Sequence, residues 1–187
     1  MTGAPMLRTD RLLLRDWTDA DMVPCAAMNA DPRVMEFLGP VMGRTASDEL
    51  AARIRKHVHA HGYGLWAAEI PGAVRFIGFI GLNVIEWSPL APSVEIGWRL
   101  APDYWKQGYA SEGAREVMRF AFEELALDEV IAFTSVANRR SRGVMERIGM
   151  RHDPDRDFDH PKLTADDPLR PHVVYSRTKR DWLETIR

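Results

Sequence analysis

The sequence contains a single cysteine, Cys25, among its 187 residues. One cysteine cannot form a disulfide within the chain, and it cannot build a zinc site made of several thiolates. Such low cysteine use fits a reducing compartment, so we expect a cytoplasmic protein. We expect Cys25 itself to be a small buried apolar residue.

An excess of positive charge is also absent. Lysine and arginine number 25 against 27 aspartate and glutamate, which gives a formal net charge of -2 at pH 7. No nucleic-acid partner and no polybasic membrane anchor are expected, because both depend on a basic field. The N-terminus reaches charged residues before it can form the apolar stretch of a secretory signal, and no later run is long enough to span a membrane. We therefore expect no membrane partner.

The composition that remains is that of a globular protein. Hydrophobic residues make up 45% and charged residues 28% of the chain, which leaves enough apolar side chains for a core. A length of 187 residues is above the usual size of one domain and well short of two. We expect a single domain over residues 1–187.

The chain is predicted to open with a strand and a helix. Alternating leucines favour a strand over Arg11–Arg15. Thr18, followed three residues later by Asp21, is typical of a helix start, and the helix is expected around Met22–Met28. Pro24 fits there only if it falls in the first turn; otherwise the helix is kinked or starts late.

A second helix and three strands are predicted next. Apolar residues recur at helical spacing over Ser47–His61, and Gly62 is a typical stop. Proline and glycine turns separate three strand-like runs, as in an antiparallel meander. These runs are Leu65–Glu69, Phe76–Val84 and Val94–Leu100.

The second half of the chain alternates between helices and strands. An apolar stripe from Ala110 to Leu125 predicts the clearest helix of the sequence. A strand over Val130–Val136, a helix over Asn138–Ile148 and a last strand over His172–Thr178 follow. The segment Asp153–Arg170 is rich in aspartate and proline and is expected to be a long loop.

The junction before the clearest helix carries the strongest chemical signal. The strand Val94–Leu100 leads through Tyr104–Ala110 directly into this helix, with Gly108 at the turn. A glycine there lets backbone N–H groups converge at the positive end of the helix dipole, which is a site for a phosphate or pyrophosphate. Alternatively, Gly108 only eases the turn from strand to helix.

Residues 105–110, WKQGYA, resemble the acyl-CoA pyrophosphate loop of the GNAT acetyltransferases. That loop usually reads Arg or Gln, two residues, Gly, one residue, then Gly or Ala. Trp105 replaces the usual Arg or Gln, as in the RimJ/RimL branch, which acetylates the N-termini of ribosomal proteins. Leu7–Arg15 and Asn138–Met150 are similar to the opening strand and a late helix of the same branch. The resemblance implies an α/β GNAT acyl-CoA N-acyltransferase fold with a mixed, mostly antiparallel sheet and flanking helices.

The resemblance also implies acetyl-CoA as the acetyl donor and assigns residues to it. One segment lines the pantetheine arm through backbone hydrogen bonds, and a second cradles the pyrophosphate. Asn138 is similar to an asparagine that contacts the cofactor, and it can equally be the N-cap of the following helix. The pantetheine segment is Ile96, Gly97, Trp98, Arg99 and Leu100, and the pyrophosphate segment is Lys106, Gln107, Gly108, Tyr109, Ala110 and Ser111.

Acetyl transfer needs a base for the amine and a donor for the departing sulfur. Glu95 is similar in placement to the glutamate that several GNAT enzymes use as base; alternatively it is a structural partner of an arginine such as Arg99 or Arg119. Many GNAT enzymes place a tyrosine in the late helix as acid, but Met145 stands at that position. Ser141, also a cofactor contact, is the candidate donor toward the sulfur, or else a first-turn residue that satisfies backbone groups.

No metal site is predicted. His57 and His61 share a helix face while His59 points away, which favours a solvated helix end over a set of ligands.

The sequence thus predicts a direct N-acetyltransferase that moves an acetyl group from acetyl-CoA to a primary amine, either a protein N-terminus or a small molecule. Two alternatives stay open: a non-catalytic acyl-CoA-binding sensor, and a transferase of a larger acyl group. The amine acceptor is the expected partner, and a homodimer is compatible with the sequence.

Overall fold

A computed structural model describes residues 4–87 and 89–185. In this structure the chain forms two units. The first unit consists of Met1–Asn83 and Gly97–Val117, and the second of Val84–Ile96 and Met118–Arg187. Within the described residues, no helix is both long and apolar enough to cross a membrane.

The strands of the first unit follow one another in the sheet in chain order. Short strands β1 (Leu7–Arg8) and β2 (Leu13–Arg15) precede β3 (Leu65–Ile70), and each pairs with the next in antiparallel register. Strand β4 (Val74–Ile85) pairs antiparallel with β3, and β5 (Ser93–Leu100) is its other neighbour. The predicted adjacency of these three strands is confirmed, and β3 and β4 are antiparallel as predicted.

The observed strand at this place is shorter than the predicted one, Arg11–Arg15. Its observed part, β2, begins at Leu13. The backbone N–H of Thr9 donates to the carbonyl oxygen of Leu12, and the Thr9 hydroxyl accepts from the Leu12 N–H, both at 2.9 Å. These bonds close a turn around Arg11, which sequence alternation does not detect.

Helices of the first unit lie close to the predicted ranges. Helix α1 (Met22–Asn29) holds Pro24 in its first turn, where no helical N–H is needed, so the proline is tolerated. A one-turn helix, α2 (Pro32–Met35), was not predicted. Helix α3 (Arg44–His61) begins three residues before the predicted start and ends at Gly62, whose φ of 73° is left-handed.

The apolar stripe from Ala110 to Leu125 does not form one regular helix. Helix α4 spans Tyr109–Arg119, and a π-helical turn over Phe120–Glu124 follows it. The N–H of Leu125 donates to the carbonyl oxygen of Phe120 at 3.0 Å, five residues back rather than four. The wider turn changes the helical phase while the apolar side chains stay buried, so the hydrophobic pattern alone does not reveal it.

The second unit contains the parallel pairing of the sheet. Strand β5 runs parallel to β6 (Glu129–Ser135), with Glu95 opposite Ile131. Strand β6 is antiparallel to β9 (Pro171–Thr178), which also pairs antiparallel with two short strands, β7 (Arg151–His152) and β8 (Phe158–Asp159). The expectation of a mixed, mostly antiparallel sheet is confirmed. Helices α5 (Arg139–Arg147) and α6 (Lys179–Thr185) complete the unit.

The segment predicted as a long loop, Asp153–Arg170, is only partly irregular. A single 3₁₀ turn over Pro154–Arg156 leads into β8, which pairs with β9. A carboxylate oxygen of Asp157 accepts the N–H of Val174 at 2.9 Å, and this bond holds the segment against β9. The anchor is contributed by a distant strand, so local composition could not predict it.

Candidate active site

The C-terminal end of β5 places the residues predicted to line the pantetheine arm. Ile96 and Leu100 are buried, whereas Gly97, Trp98 and Arg99 between them are half-buried. The backbone of a strand presents N–H and C=O groups at regular spacing. An extended ligand with amide groups, such as a pantetheine arm, can pair with them as a neighbouring strand would.

The predicted pyrophosphate loop has an unusual backbone. Lys106 has a φ of 60° and Gly108 a φ of 86°, so two left-handed residues lie within three positions. The indole N–H of Trp105 donates to the carbonyl oxygen of Leu100 at 2.7 Å, which ties the loop to the end of β5. The side-chain amide of Gln107 donates to the carbonyl oxygen of Asp103 at 2.8 Å. The loop therefore has a defined shape before any ligand binds.

Helix α4 starts directly at this loop. The N–H of Glu112 donates to the carbonyl oxygen of Gly108 at 2.9 Å, which is the first helical hydrogen bond. The N–H groups of the preceding residues, Tyr109 to Ser111, lie ahead of that bond at the positive end of the helix dipole. Lys106, Gln107 and Gly108 are exposed beside them. This combination of N–H donors and a lysine is suited to phosphate oxygens.

Arg11 braces the loop, and sequence reasoning missed it. Its Nη1 donates to the carbonyl oxygen of Gln107 at 3.0 Å, and its Nε donates to Glu112 Oε2 at 2.7 Å. Its guanidinium carbon also lies 4.6 Å from the centre of the Tyr109 ring. Burial of the Glu112 carboxyl opposes ionisation, but hydrogen bonds from Thr9 and Arg11 outweigh it, so the Glu112 pKa is below its usual value. Nothing in the local sequence joins positions about a hundred residues apart.

The second unit holds the remaining predicted residues. Glu95 is half-buried on β5 opposite Ile131, and Asn138 follows the end of β6. The Asn138 side-chain oxygen accepts the N–H of Ser141 at 3.1 Å, and its amide nitrogen donates to the Thr134 hydroxyl at 2.9 Å. The N-cap role predicted for Asn138 is confirmed, and the bond brings Asn138 and Ser141 together.

Helix α5 carries both Ser141, the candidate donor toward the sulfur, and Met145, which cannot donate a proton. Met145 is buried, with 1% of its surface exposed, whereas Ser141 is partly exposed at the start of the helix. The hydroxyl of Ser141 thus remains open to a ligand, while the methionine belongs to the core.

A cluster of half-buried rings lies on the Ile131 face of β6, and sequence reasoning did not find it. Phe133 is two residues from Ile131 along the strand and therefore points the same way. Neighbouring rings lie 5.0–6.3 Å apart, centre to centre. Burial lowers the pKa of both imidazoles in the cluster, which keeps them uncharged at neutral pH. The members are Trp87, Phe133, Phe158, His160 and His172.

The histidines of α3 lie as the helical spacing predicts. The rings of His57 and His61 are 4.3 Å apart on one helix face. Among the residues that the structure describes, no group of three or more His, Cys, Asp or Glu side chains is placed to hold a metal ion. Cys25 is buried as expected, and burial raises the pKa of its thiol.

Comparisons with known proteins agree with this architecture. Residues 11–151 match the family described as "Acetyltransferase (GNAT) domain". The chain is 32% identical to the FsC-acetyl coenzyme A-N(2)-transacetylase of Aspergillus fumigatus, over 96% of this chain and 78% of that protein. It is 35% identical to YdaF of Bacillus subtilis, whose name provisionally describes a ribosomal N-acetyltransferase, over 56% of this chain and 55% of that protein. The crystal structure of an acetyltransferase from Agrobacterium tumefaciens has a TM-score of 0.76 and 30% identity, covering 95% of this chain and 96% of the other.

Proposed function

The chain belongs to the GNAT acetyltransferase family, and from this premise we propose that the loop Trp105–Gly108 and the start of α4 bind the pyrophosphate of acetyl-CoA. The protein is an acetyl-CoA-dependent N-acetyltransferase, which moves an acetyl group to an amine. The observation that carries the cofactor assignment is the pair of left-handed residues, Lys106 and Gly108, immediately before the N–H groups of α4. The β5 backbone from Ile96 to Leu100 is proposed to pair with the pantetheine amides.

Glu95 is proposed as the base and Ser141 as the donor toward sulfur. Acetyl-CoA supplies a thioester, whose C–S bond breaks as the amine nitrogen forms the new C–N bond. Glu95 takes the proton of the attacking amine, directly or through water. The Ser141 hydroxyl donates a hydrogen bond to the departing sulfur, and Asn138 positions the first turn of α5 that carries Ser141. Backbone N–H groups of Glu95 to Trp98 are proposed to stabilise the oxyanion.

We propose that the protein belongs to the RimJ/RimL branch and that its acceptor is a protein N-terminus. Support comes from Trp105 in the loop, from the opening segment Leu7–Arg15 and from the likeness to YdaF. A small-molecule amine is the second candidate acceptor. It is favoured by the Aspergillus relative, whose name describes N(2) acetylation and which matches 96% of this chain.

Several expectations from the sequence stay predictions. They are a single domain over residues 1–187, a cytoplasmic location, a homodimer, and the absence of metal, nucleic-acid and membrane partners.

The decisive test is release of free thiol from acetyl-CoA against a panel of peptide N-termini and small amines. Cofactor binding is measured in parallel by calorimetry. Turnover with one class of acceptor identifies the substrate. Tight binding without turnover for any amine would support the sensor alternative, and faster turnover with a longer acyl-CoA would support transfer of a larger acyl group.

A further inference from the structure

Arg99 carries a positive charge into the interior of the first unit. Its Nη1 donates to the side-chain oxygen of Asn29 at 2.8 Å, and its guanidinium carbon lies 5.3 Å from the centre of the Phe79 ring. Burial lowers the pKa of Arg99 to about 10, so the group remains charged at neutral pH. The guanidinium is thus partly desolvated and held in one orientation.

Among the described residues, this charge lacks a counterion. Over residues 4–87 and 89–185, no carboxylate forms an ion pair with Arg99, and Asn29 is its single hydrogen-bond acceptor. A desolvated charge without a partner is costly, and a neutral amide compensates it only in part. Asn29 ends α1, so the negative end of that helix dipole adds a partial charge but not a full one.

The remaining donors of Arg99 are not fully sealed from solvent. Among the described residues, the Nε of Arg177 is enclosed and has no hydrogen-bond partner. No nitrogen of Arg99 is both enclosed and without a partner. Because a guanidinium has five N–H donors and Asn29 uses one, a planar pair remains for a ligand.

Asn29 itself is fixed by a buried polar chain. Its amide nitrogen donates to the Ser47 hydroxyl at 2.9 Å and contacts the Cys25 sulfur at 3.5 Å. All three residues are buried, with at most 1% of their surface exposed. The chain orients the Asn29 oxygen toward Arg99 and thereby sets the direction of the guanidinium.

We propose that Arg99 binds a carboxylate of the amine acceptor, so that the substrate is an amine that carries a carboxylate. The proposal rests on the proposed function, in which Ile96 to Leu100 line the pantetheine arm, because a group bound at Arg99 then lies beside the cofactor. A guanidinium matches a carboxylate through two parallel hydrogen bonds. The other available oxyanions are the phosphates of the cofactor, but these are assigned to the exposed loop at Lys106 and the start of α4.

The test compares acceptors with and without a carboxylate. The pairs are L-phenylalanine against phenethylamine, L-lysine against cadaverine, and a tripeptide against its C-terminal amide. We expect the native protein to favour the carboxylate member of at least one pair by about 10-fold or more in kcat/KM, the usual worth of a charged hydrogen bond. Arg99→Met should remove that preference by slowing only the carboxylate member. Asn29→Asp, which is isosteric and supplies an internal counterion, should do the same.

Three controls distinguish a carboxylate site at Arg99 from a general effect of the substitution. Arg33→Met removes an exposed guanidinium from the same unit and should leave the preference intact. Arg99→Met keeps the backbone groups that are proposed to pair with pantetheine, so circular dichroism and calorimetric affinity for acetyl-CoA should be unchanged. If acetyl-CoA affinity falls instead, Arg99 serves a cofactor phosphate and the acceptor assignment is wrong.

Failure of the inference differs from failure of the proposed function. Turnover with equal kcat/KM within every pair would overturn the carboxylate site and leave the N-acetyltransferase assignment intact. If no amine is acetylated, binding of N-acetyl-L-phenylalanine against N-acetylphenethylamine decides. Tighter binding of the carboxylate by the native protein, lost in Arg99→Met, supports the site, and equal binding overturns it.

Discussion

The indole N–H of Trp105 donates a 2.7 Å hydrogen bond to the carbonyl oxygen of Leu100. Leu100 ends the strand assigned to the pantetheine arm, and Trp105 begins the loop assigned to the pyrophosphate. The bond fixes the distance between these two segments. It gives a structural reason for a tryptophan where the family loop usually has an arginine or glutamine.

Trp105→Phe removes this hydrogen bond and keeps an aromatic ring in the apolar cluster around Trp17 and Phe79. We expect acetyl-CoA affinity to fall about fivefold, because a hydrogen bond within a protein is worth about 1 kcal/mol. Calorimetry measures the change. Trp17→Phe is the matched control, because the Trp17 indole N–H also donates to a carbonyl, that of Leu65 at 2.8 Å, in the same cluster. An equal loss of cofactor affinity in both variants would argue that the loop plays no specific part.

Gly108→Ala should weaken acetyl-CoA binding about tenfold or more. At a φ of 86° an alanine is strained by about 1–2 kcal/mol, and its Cβ would lie 3.3 Å from an Arg11 nitrogen that braces the loop. Gly72→Ala is the control, since Gly72 has a φ of 76° with no atom close to the added Cβ. The two variants should lose similar thermal stability, and only Gly108→Ala should lose cofactor affinity. Unchanged affinity would exclude the loop as the phosphate site.

Glu95→Gln should lower kcat at neutral pH about 100-fold or more, because general-base catalysis contributes on that scale. Affinity for acetyl-CoA should change little, since the base acts on the amine. Thiol release at saturating acceptor measures the effect. Glu86→Gln replaces an exposed glutamate of the same unit and should have normal turnover. Normal turnover of Glu95→Gln would leave Glu95 with a structural role alone.

Two variants of α5 should separate stability from catalysis. Asn138→Ala removes the N-cap, so the free energy of unfolding in urea should fall by about 1 kcal/mol. Ser141→Ala keeps the backbone N–H that Asn138 binds, so stability should hold while kcat falls about tenfold from the lost hydroxyl. If Ser141→Ala retains full kcat, the serine has no role toward the sulfur.

Asp21→Asn should destabilise the protein by about 3 kcal/mol at neutral pH, because it breaks a buried ion pair with Arg15. Burial opposes ionisation of Asp21, but hydrogen bonds from Arg15 and Thr18 outweigh it and hold its pKa below the usual value. The ion pair should therefore stabilise the native protein fully at pH values above about 4, the ordinary carboxyl pKa. This contribution to the free energy of unfolding should be lost as the pH falls further. The variant should lack that component of the acid dependence.

Urea unfolding across this pH range provides the check. Asp31→Asn affects a pair that is more exposed, with Arg33, and should keep the native pH profile. An identical acid profile for the native protein and Asp21→Asn would mean that the Arg15 pair does not contribute to acid stability.

Local patterns predicted those elements whose structure depends on neighbours in sequence. Helix α3 is recognisable from the apolar spacing of Ala51, Ile54 and Val58, and Gly62 ends it because glycine adopts a left-handed φ without strain. Helix α4 and the cap at Asn138 follow from the same kind of signal. The loop at Gly108 was predicted from its resemblance to the acyl-CoA loop of the GNAT family.

The remaining features depend on residues that are distant in sequence. Strand β8 forms within a predicted loop because β9 offers it a partner, and the π-helical turn after Arg119 replaces the regular helix suggested by an apolar stripe. The brace from Arg11 to Glu112 joins positions that no periodicity relates.

The sequence by itself determined the order of the elements, the loop Trp105–Gly108 and the family to which these motifs belong. Only the tertiary structure decided that Arg99 meets Asn29 rather than a carboxylate, and that Arg11 supports the loop. The physical reason is that periodicity and turn chemistry act over a few residues. The partner of a buried charge is instead set by which distant segments the folded core brings within hydrogen-bond distance.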